Sequence, residues 1–133
     1  METVVPTLKP SNDHILIVDD IFDNYFLLQT LLEAEGYQVD VADSGWAALE
    51  KIEAEPPALV LLDVMMPGMS GYEVTKRIRQ NQSLPFIPIL LITGYEQLAE
   101  TVEAETGANG FIRKPVDFDQ LLDQVRSILL EVN

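Results

Sequence analysis

The 133-residue chain has no cysteine, one histidine, one tryptophan, and 8 lysine and arginine residues against 22 acids. Without cysteine there is no disulfide framework, no thiolate metal site and no thiol nucleophile. A formal charge of −14 argues against any basic groove for nucleic acid or an anionic membrane. Also missing is an apolar run long enough for a signal peptide or a membrane span. The opening METVVPTLKPSND is largely polar and carries two prolines. Residues 1–12 therefore read as a flexible tail, residues 13–133 as one domain, and the protein as soluble and cytoplasmic. A hydrophobic content of 47% suits a packed core and rules out a disordered chain.

What is present is a set of short apolar runs, each ending on polar residues. Ile15–Val18 stops at Asp19-Asp20, Ala58–Leu62 at Asp63, Ile89–Ile92 at Thr93, and Phe111-Ile112 leads to Lys114-Pro115. Runs this short, without polar alternation, suit parallel strands covered on both faces. Tyr37–Val41 alternates instead, which suits a strand at the sheet edge. Helical patterns lie between the runs. Leu28, Leu31 and Leu32 share a face before Gly36 stops the first helix. Ser44 opens a second, with Ala47, Ala48, Leu49 and Ile52 inward and Trp46 read as packing. Ser70 and Glu73 fit a capping box for a third, Thr93 caps a fourth through about Glu105, and Asp117 with Gln120 opens the last. Five strands and five helices in strict alternation predict an α/β, flavodoxin-like fold: a doubly wound parallel sheet of order 2-1-3-4-5.

That order brings Asp19, Asp20, Asp63, Thr93 and Lys114 to the carboxyl edge of the sheet, where ligands bind. Two unit charges about 4 Å apart cost roughly 4 kcal/mol at an effective dielectric near 20. Three carboxylates beside one lysine therefore call for a further cation, and Mg²⁺ suits carboxylate, water and phosphate oxygens. Thr93 adds a hydroxyl donor and Lys114 a point charge for an anionic oxygen. The set describes a place to hold a phosphoryl group beside a metal, with a carboxylate free to attack it. Taken singly, Asp19-Asp20 and Thr93 read as helix caps and Lys114 as a solvated base. Those separate readings leave the coincidence of all five at strand ends unexplained.

The pieces VDD (Val18–Asp20), LLDVMMPGMSG (Leu61–Gly71), ITG (Ile92–Gly94) and FIRKP (Phe111–Pro115), with their intervals, resemble the receiver domain of bacterial two-component response regulators. The resemblance runs from about His14 to Leu130. It implies that Asp63 accepts a phosphoryl group from the histidine of a sensor kinase or phosphotransfer protein. It implies Mg²⁺ held by Asp19, Asp20, Asp63 and the backbone carbonyl of Met65. Thr93 and Lys114 would bind the phosphoryl oxygens, Lys114-Pro115 would be cis, and Thr93 with Phe111 would form the switch pair. Phe111 departs from the tyrosine of many relatives and has no hydroxyl to fix either state. Met65 and Tyr95, two residues beyond Asp63 and Thr93, would influence phosphoryl lifetime.

With no output domain after Asn133, the resemblance implies a stand-alone receiver, monomeric or weakly dimeric, that contacts a downstream target protein. It would have no enzymatic activity beyond its own phosphoryl transfer and hydrolysis. The usual signalling surface is the fourth helix, fifth strand and fifth helix. Here it carries Glu96, Glu100, Glu103, Glu105, Asp119 and Asp123, either a solvated acidic face or a match for a basic partner. Two alternatives are a phosphate-independent scaffold of the same fold and a phosphatase with an aspartate nucleophile. The intact five-residue set argues against the first. The second would want an acid where Met65 stands.

Overall fold

The structure, a computed structural model, describes residues 14–94 and 107–131. In chain order these form β1 (His14–Val18), α1 (Phe22–Ala34), β2 (Gln38–Ala42), α2 (Gly45–Ala54), β3 (Leu59–Asp63) and α3 (Gly71–Gln80). After them come β4 (Ile89–Thr93), β5 (Gly110–Arg113) and α4 (Phe118–Glu131). The sheet is parallel throughout, in the expected order β2-β1-β3-β4-β5. Four helices are seen among the described residues. The helix expected after Thr93 and the tail expected at residues 1–12 lie outside them.

The sheet order follows from the apolar patterning. β3 and β4 are buried along their whole length and lie inside the sheet, while β2 has an exposed Gln38 and half-buried centre and forms one edge. Successive side chains of a strand point to opposite faces, so the sheet sorts its residues into two cores. Leu16, Val18, Val60, Leu62, Ile89 and Leu91 pack against Ala48 and Ile52 of α2 and Val74 and Ile78 of α3. Ile15, Ile17, Leu59, Leu61, Leu90 and Ile92 pack against Leu28 and Leu32 of α1 and Leu121 and Val125 of α4.

Three helix starts are capped as the sequence predicts. Ser44 Oγ accepts from Ala47 N at 3.1 Å, Ser70 Oγ from Glu73 N at 3.2 Å, and Asp117 Oδ1 from Gln120 N at 3.1 Å. Each is worth about 1 kcal/mol. The box at Ser70 is one-sided, because the Glu73 carboxylate pairs with Arg77 at 3.0 Å instead. α1 has no side-chain cap. Its N-cap is Ile21, whose N–H is taken by Asp19 Oδ1 at 3.0 Å. Asp19 thus serves the turn before the helix and is not the cap itself.

Two further features hold the carboxyl edge and its opposite end. A Cβ at Gly71 would collide with the Asp63 carbonyl oxygen and come within 2.9 Å of Val64 Cα. Only glycine lets α3 start directly against the backbone leaving β3. Thr75, fully buried, donates its hydroxyl to Gly71 O at 2.9 Å. At the other end Arg79 donates to Ile87 O (2.8 Å), Gly107 O (3.0 Å) and Asn109 Oδ1 (3.0 Å), and its guanidinium covers the Phe86 ring. Trp46 departs from its expected packing role. It is 61% exposed, with the Arg77 guanidinium 5.0 Å from its ring centroid; Ala48 and Ile52, one turn apart on the opposite side of that helix, fill the core instead.

Candidate functional site

The five residues expected to hold metal and phosphoryl group, Asp19, Asp20, Asp63, Thr93 and Lys114, sit at or just past the carboxyl ends of their strands. Asp63 is the last residue of β3 and Thr93 the last of β4, while Asp19 follows β1 and Lys114 follows β5. Main-chain bonds tie these ends together. Asp19 N donates to Ala42 O (3.1 Å), Val64 N to Ile92 O (3.0 Å) and Lys114 N to Thr93 O (2.9 Å). The Lys114–Pro115 peptide is cis.

The side chains converge. Asp19, Asp20 and Asp63 each place a carboxylate oxygen within 4.8 Å of the others. Asp19 and Asp63 are each 3% exposed, and Lys114 Nζ stands 2.7 Å from Asp63 Oδ1. That contact is a charge pair, close enough for a hydrogen bond but not aligned for one. Asp20 Oδ1 is buried and has no hydrogen-bond partner. Burial raises the pKa of Asp63 above its ordinary value, outweighing the opposing pull of the Lys114 ammonium, and nearby Asp19 adds to the rise. Burial likewise raises Asp19, against the Ile21 N–H that favours its charged form.

Three acids against one ammonium leave the crevice with an excess of negative charge in a partly desolvated place. Hard carboxylate oxygens, two of them (Asp20 Oδ1 and Asp63 Oδ1) without a hydrogen bond, are the donor set of a divalent cation such as Mg²⁺. The residues present therefore fit a metal. Met65 lies in the loop just past Asp63 and is 56% exposed. Tyr95 lies outside the described residues.

Thr93, 1% exposed, stands on the α2/α3 side of the sheet by strand alternation, whereas Asp63 stands on the α1/α4 side. Phe111 pairs in register with Leu91, and Thr93 pairs with Arg113. Phe111 is half-buried against the α2/α3 core, one strand over from Thr93 and two residues nearer the amino end.

Two contributors were not legible in the sequence reading. Asn24, in the first turn of α1, brings its side-chain amide to Asp19 and favours the charged form of that carboxylate. An apolar rim also borders the acids. A groove of about 330 Å³ is lined by Leu27, Pro115, Val116 and Phe118 together with Asp19 and Lys114. Ile21, Phe22 and Phe26, at the start of α1, also have half or more of their surface exposed, with Phe22 stacked on Phe26 at 5.3 Å. The signal was FDNYFLL, apolar on both sides of α1 where an amphipathic helix would be polar on one.

A family model for the response regulator receiver domain matches residues 15–126. The chain belongs to this family. The receiver domain is 40% identical over 115 residues to the response regulator PleD of Caulobacter vibrioides, covering 86% of this chain but 25% of PleD. It is 33% identical to protein PilH of Pseudomonas aeruginosa, covering 86% of this chain and 96% of PilH. The chain thus spans a quarter of one relative's length and nearly all of another's. Among solved structures, a CheY-like receiver domain protein from Methanospirillum hungatei superposes with a TM-score of 0.82 at 32% identity, over 91% of this chain and 96% of that one. TrrA from Thermotoga maritima, crystallised in complex with Mg²⁺-BeF, has a TM-score of 0.78 at 35% identity, over 86% of this chain and 97% of its own. No described helix of the receiver domain is long and apolar enough to cross a membrane.

Proposed function

We propose that this receiver domain is a phosphorylation-activated switch in the cytoplasm, with Asp63 as the residue that accepts the phosphoryl group. The observation that carries the reading is the Asp63 carboxylate itself. It is 3% exposed at the tip of a central strand, touched by Lys114 Nζ at 2.7 Å, and crowded by Asp19 and Asp20. Such a carboxylate is an oxygen nucleophile held in one place beside a cation that can receive the charge of an incoming group.

Asp19, Asp20, Asp63 and the carbonyl of Met65 would hold Mg²⁺, which when bound neutralises phosphoryl oxygens. The likeness to TrrA, which carries Mg²⁺-BeF, supports this ligand set. The donor is the phosphorylated histidine of a sensor kinase or phosphotransfer protein. An oxygen of Asp63 forms the new bond to phosphorus, the bond from phosphorus to the imidazole nitrogen breaks, and the histidine leaves with that electron pair. Lys114 then moves its charge from the carboxylate to a phosphoryl oxygen, and the Thr93 hydroxyl donates to another. Drawing Thr93 toward the phosphoryl group frees room on the α2/α3 side, where Phe111 repacks. A downstream target protein reads that change. The apolar rim at Ile21, Phe22 and Leu27 suits a donor that docks by an apolar helical face.

Incubation with Mg²⁺ and acetyl phosphate tests the proposal. The expected result is a hydroxylamine-labile mass gain of one phosphoryl group that disappears in Asp63→Asn. Absence of labelling, or undiminished labelling of Asp63→Asn, would overturn it.

A further inference from the structure

Sulfur in this chain is confined to four methionines, because cysteine is absent. Three of them fall in the loop after β3, and packing separates them. Met66 is 8% and Met69 4% exposed, whereas Met65 is 56% exposed. The backbone enforces the difference. Val64 is buried, donates its N–H to Ile92 O at 3.0 Å and accepts from Gly71 N at 2.9 Å. Met66 on the other side is buried as well. With both neighbours held in the core, Met65 is kept at the surface two residues from Asp63.

We propose that Met65 is a redox modification site: a hydroperoxide oxidises its thioether to the sulfoxide, and the sulfoxide shortens the life of the phosphorylated state. The second half rests on the assignment of Asp63 as phosphoacceptor. In the oxidation, a sulfur lone pair attacks the terminal peroxide oxygen. The S–O bond forms, the O–O bond breaks, sulfur loses two electrons, and the leaving alkoxide (hydroxide when the oxidant is hydrogen peroxide) takes the proton of the transferred oxygen and departs as an alcohol or as water. No thiol in the chain competes for the oxidant.

The consequence follows from what the new oxygen can do. A thioether is apolar and a poor acceptor, so it leaves water near Asp63 unoriented. A sulfoxide oxygen is polar and accepts hydrogen bonds strongly, so it holds a water at the exposed margin of the site. Hydrolysis of an acyl phosphate needs such a positioned water. The fold is left intact, because the added oxygen sits in solvent. The same oxidation at Met66 or Met69 would bury an unpaired polar atom in the α2/α3 core. Sulfoxide reduction restores the original side chain.

The folded protein is treated with hydrogen peroxide, digested, and mapped by mass spectrometry. Exposures of 56% against 8% and 4% predict that Met65 reacts about tenfold faster than Met66 or Met69. The oxidised protein is then charged with acetyl phosphate and Mg²⁺, and phosphate loss is followed. It should lose phosphate about threefold faster or more than untreated protein, while peroxide leaves the rate of Met65→Leu where it was. Equal reactivity of the three methionines, an unchanged rate after oxidation, or the same acceleration in Met65→Leu would overturn the proposal. If neither oxidised nor untreated protein takes up phosphate, the Asp63 assignment fails and this inference falls with it.

Discussion

Replacing Asp19 by asparagine should stabilise the protein in the absence of metal. Asp19 is 3% exposed and offers a carboxylate oxygen within 4.8 Å of Asp63 and Asp20. At that separation each like-charge pair costs about 3.5 kcal/mol or more at an effective dielectric near 20. Lys114 offsets part of this, since it also attracts Asp19. An asparagine oxygen can still accept the Ile21 N–H, so the turn before α1 survives. The net gain should be about 2 kcal/mol, or roughly 6–10 °C in Tm for a domain of this size. Asp20→Asn should gain less, about 1 kcal/mol, because Asp20 is less buried than Asp19 and repels Asp63 less than Asp19 does. Thermal melts in EDTA would rank parent, Asp20→Asn and Asp19→Asn in rising order. Saturating Mg²⁺ should then raise the parent well above its EDTA value, by about 2.7 kcal/mol at a hundredfold excess over Kd, and move the variants little. If either variant melts at or below the parent in EDTA, the crowded-carboxylate account is wrong.

The same carboxyls set a pH dependence. In the metal-free protein the folded pKa values of Asp19 and Asp63 lie above the ordinary 3.8. They contribute stability that is fully present below that value and is lost as pH rises through the folded values. The advantage of Asp19→Asn should therefore be full at about pH 7 and shrink toward about pH 4; a constant advantage in pH-dependent melts would contradict this. Gly71→Ala, which drives a methyl into the Asp63 carbonyl, should cost about 2–3 kcal/mol in urea unfolding, and a neutral substitution would mean that α3 is free to shift. Arg79→Met should cost about 2 kcal/mol by leaving the Ile87 and Gly107 carbonyls without their donor, checked by the same unfolding assay. Lys114→Ala should still label with acetyl phosphate yet lose the difference in partner affinity between labelled and unlabelled protein, measured by calorimetry.

The parts of the fold that the sequence made legible are those where one local rule decides. Unbroken apolar runs of only four or five residues bounded by polar residues suit strands with two covered faces, and Ser44, Ser70 and Asp117 cap where their spacing says. The strand tips followed because chain order and crossover handedness leave few topologies. What escaped was settled by tertiary contact. Trp46 has the composition of a core residue, but its position on α2 faces outward and it finds Arg77 there. Asn24 looks like any polar helix residue until β1 brings Asp19 over it. The outward apolar side of α1 was masked by its inward leucines, since a helix apolar all round gives no periodic contrast. Gly71 read as part of a loop cluster, and only the approach of the Asp63 carbonyl shows why it is glycine.

The sheet of this domain is a partition between two compartments that share no side chains. Phe22 and Leu27 look outward from the helix layer on one side of it, and Phe111 packs into the compartment on the other. A change in the outer surface of α1 alters what can dock beside Asp63 without obliging the far compartment to repack. On the proposed function, choice of donor and response to the signal are in this way mutationally insulated from one another. One can change while the other is held, and the two remain joined only through the adjacent strand tips that carry Asp63 and Thr93 on opposite faces of the sheet.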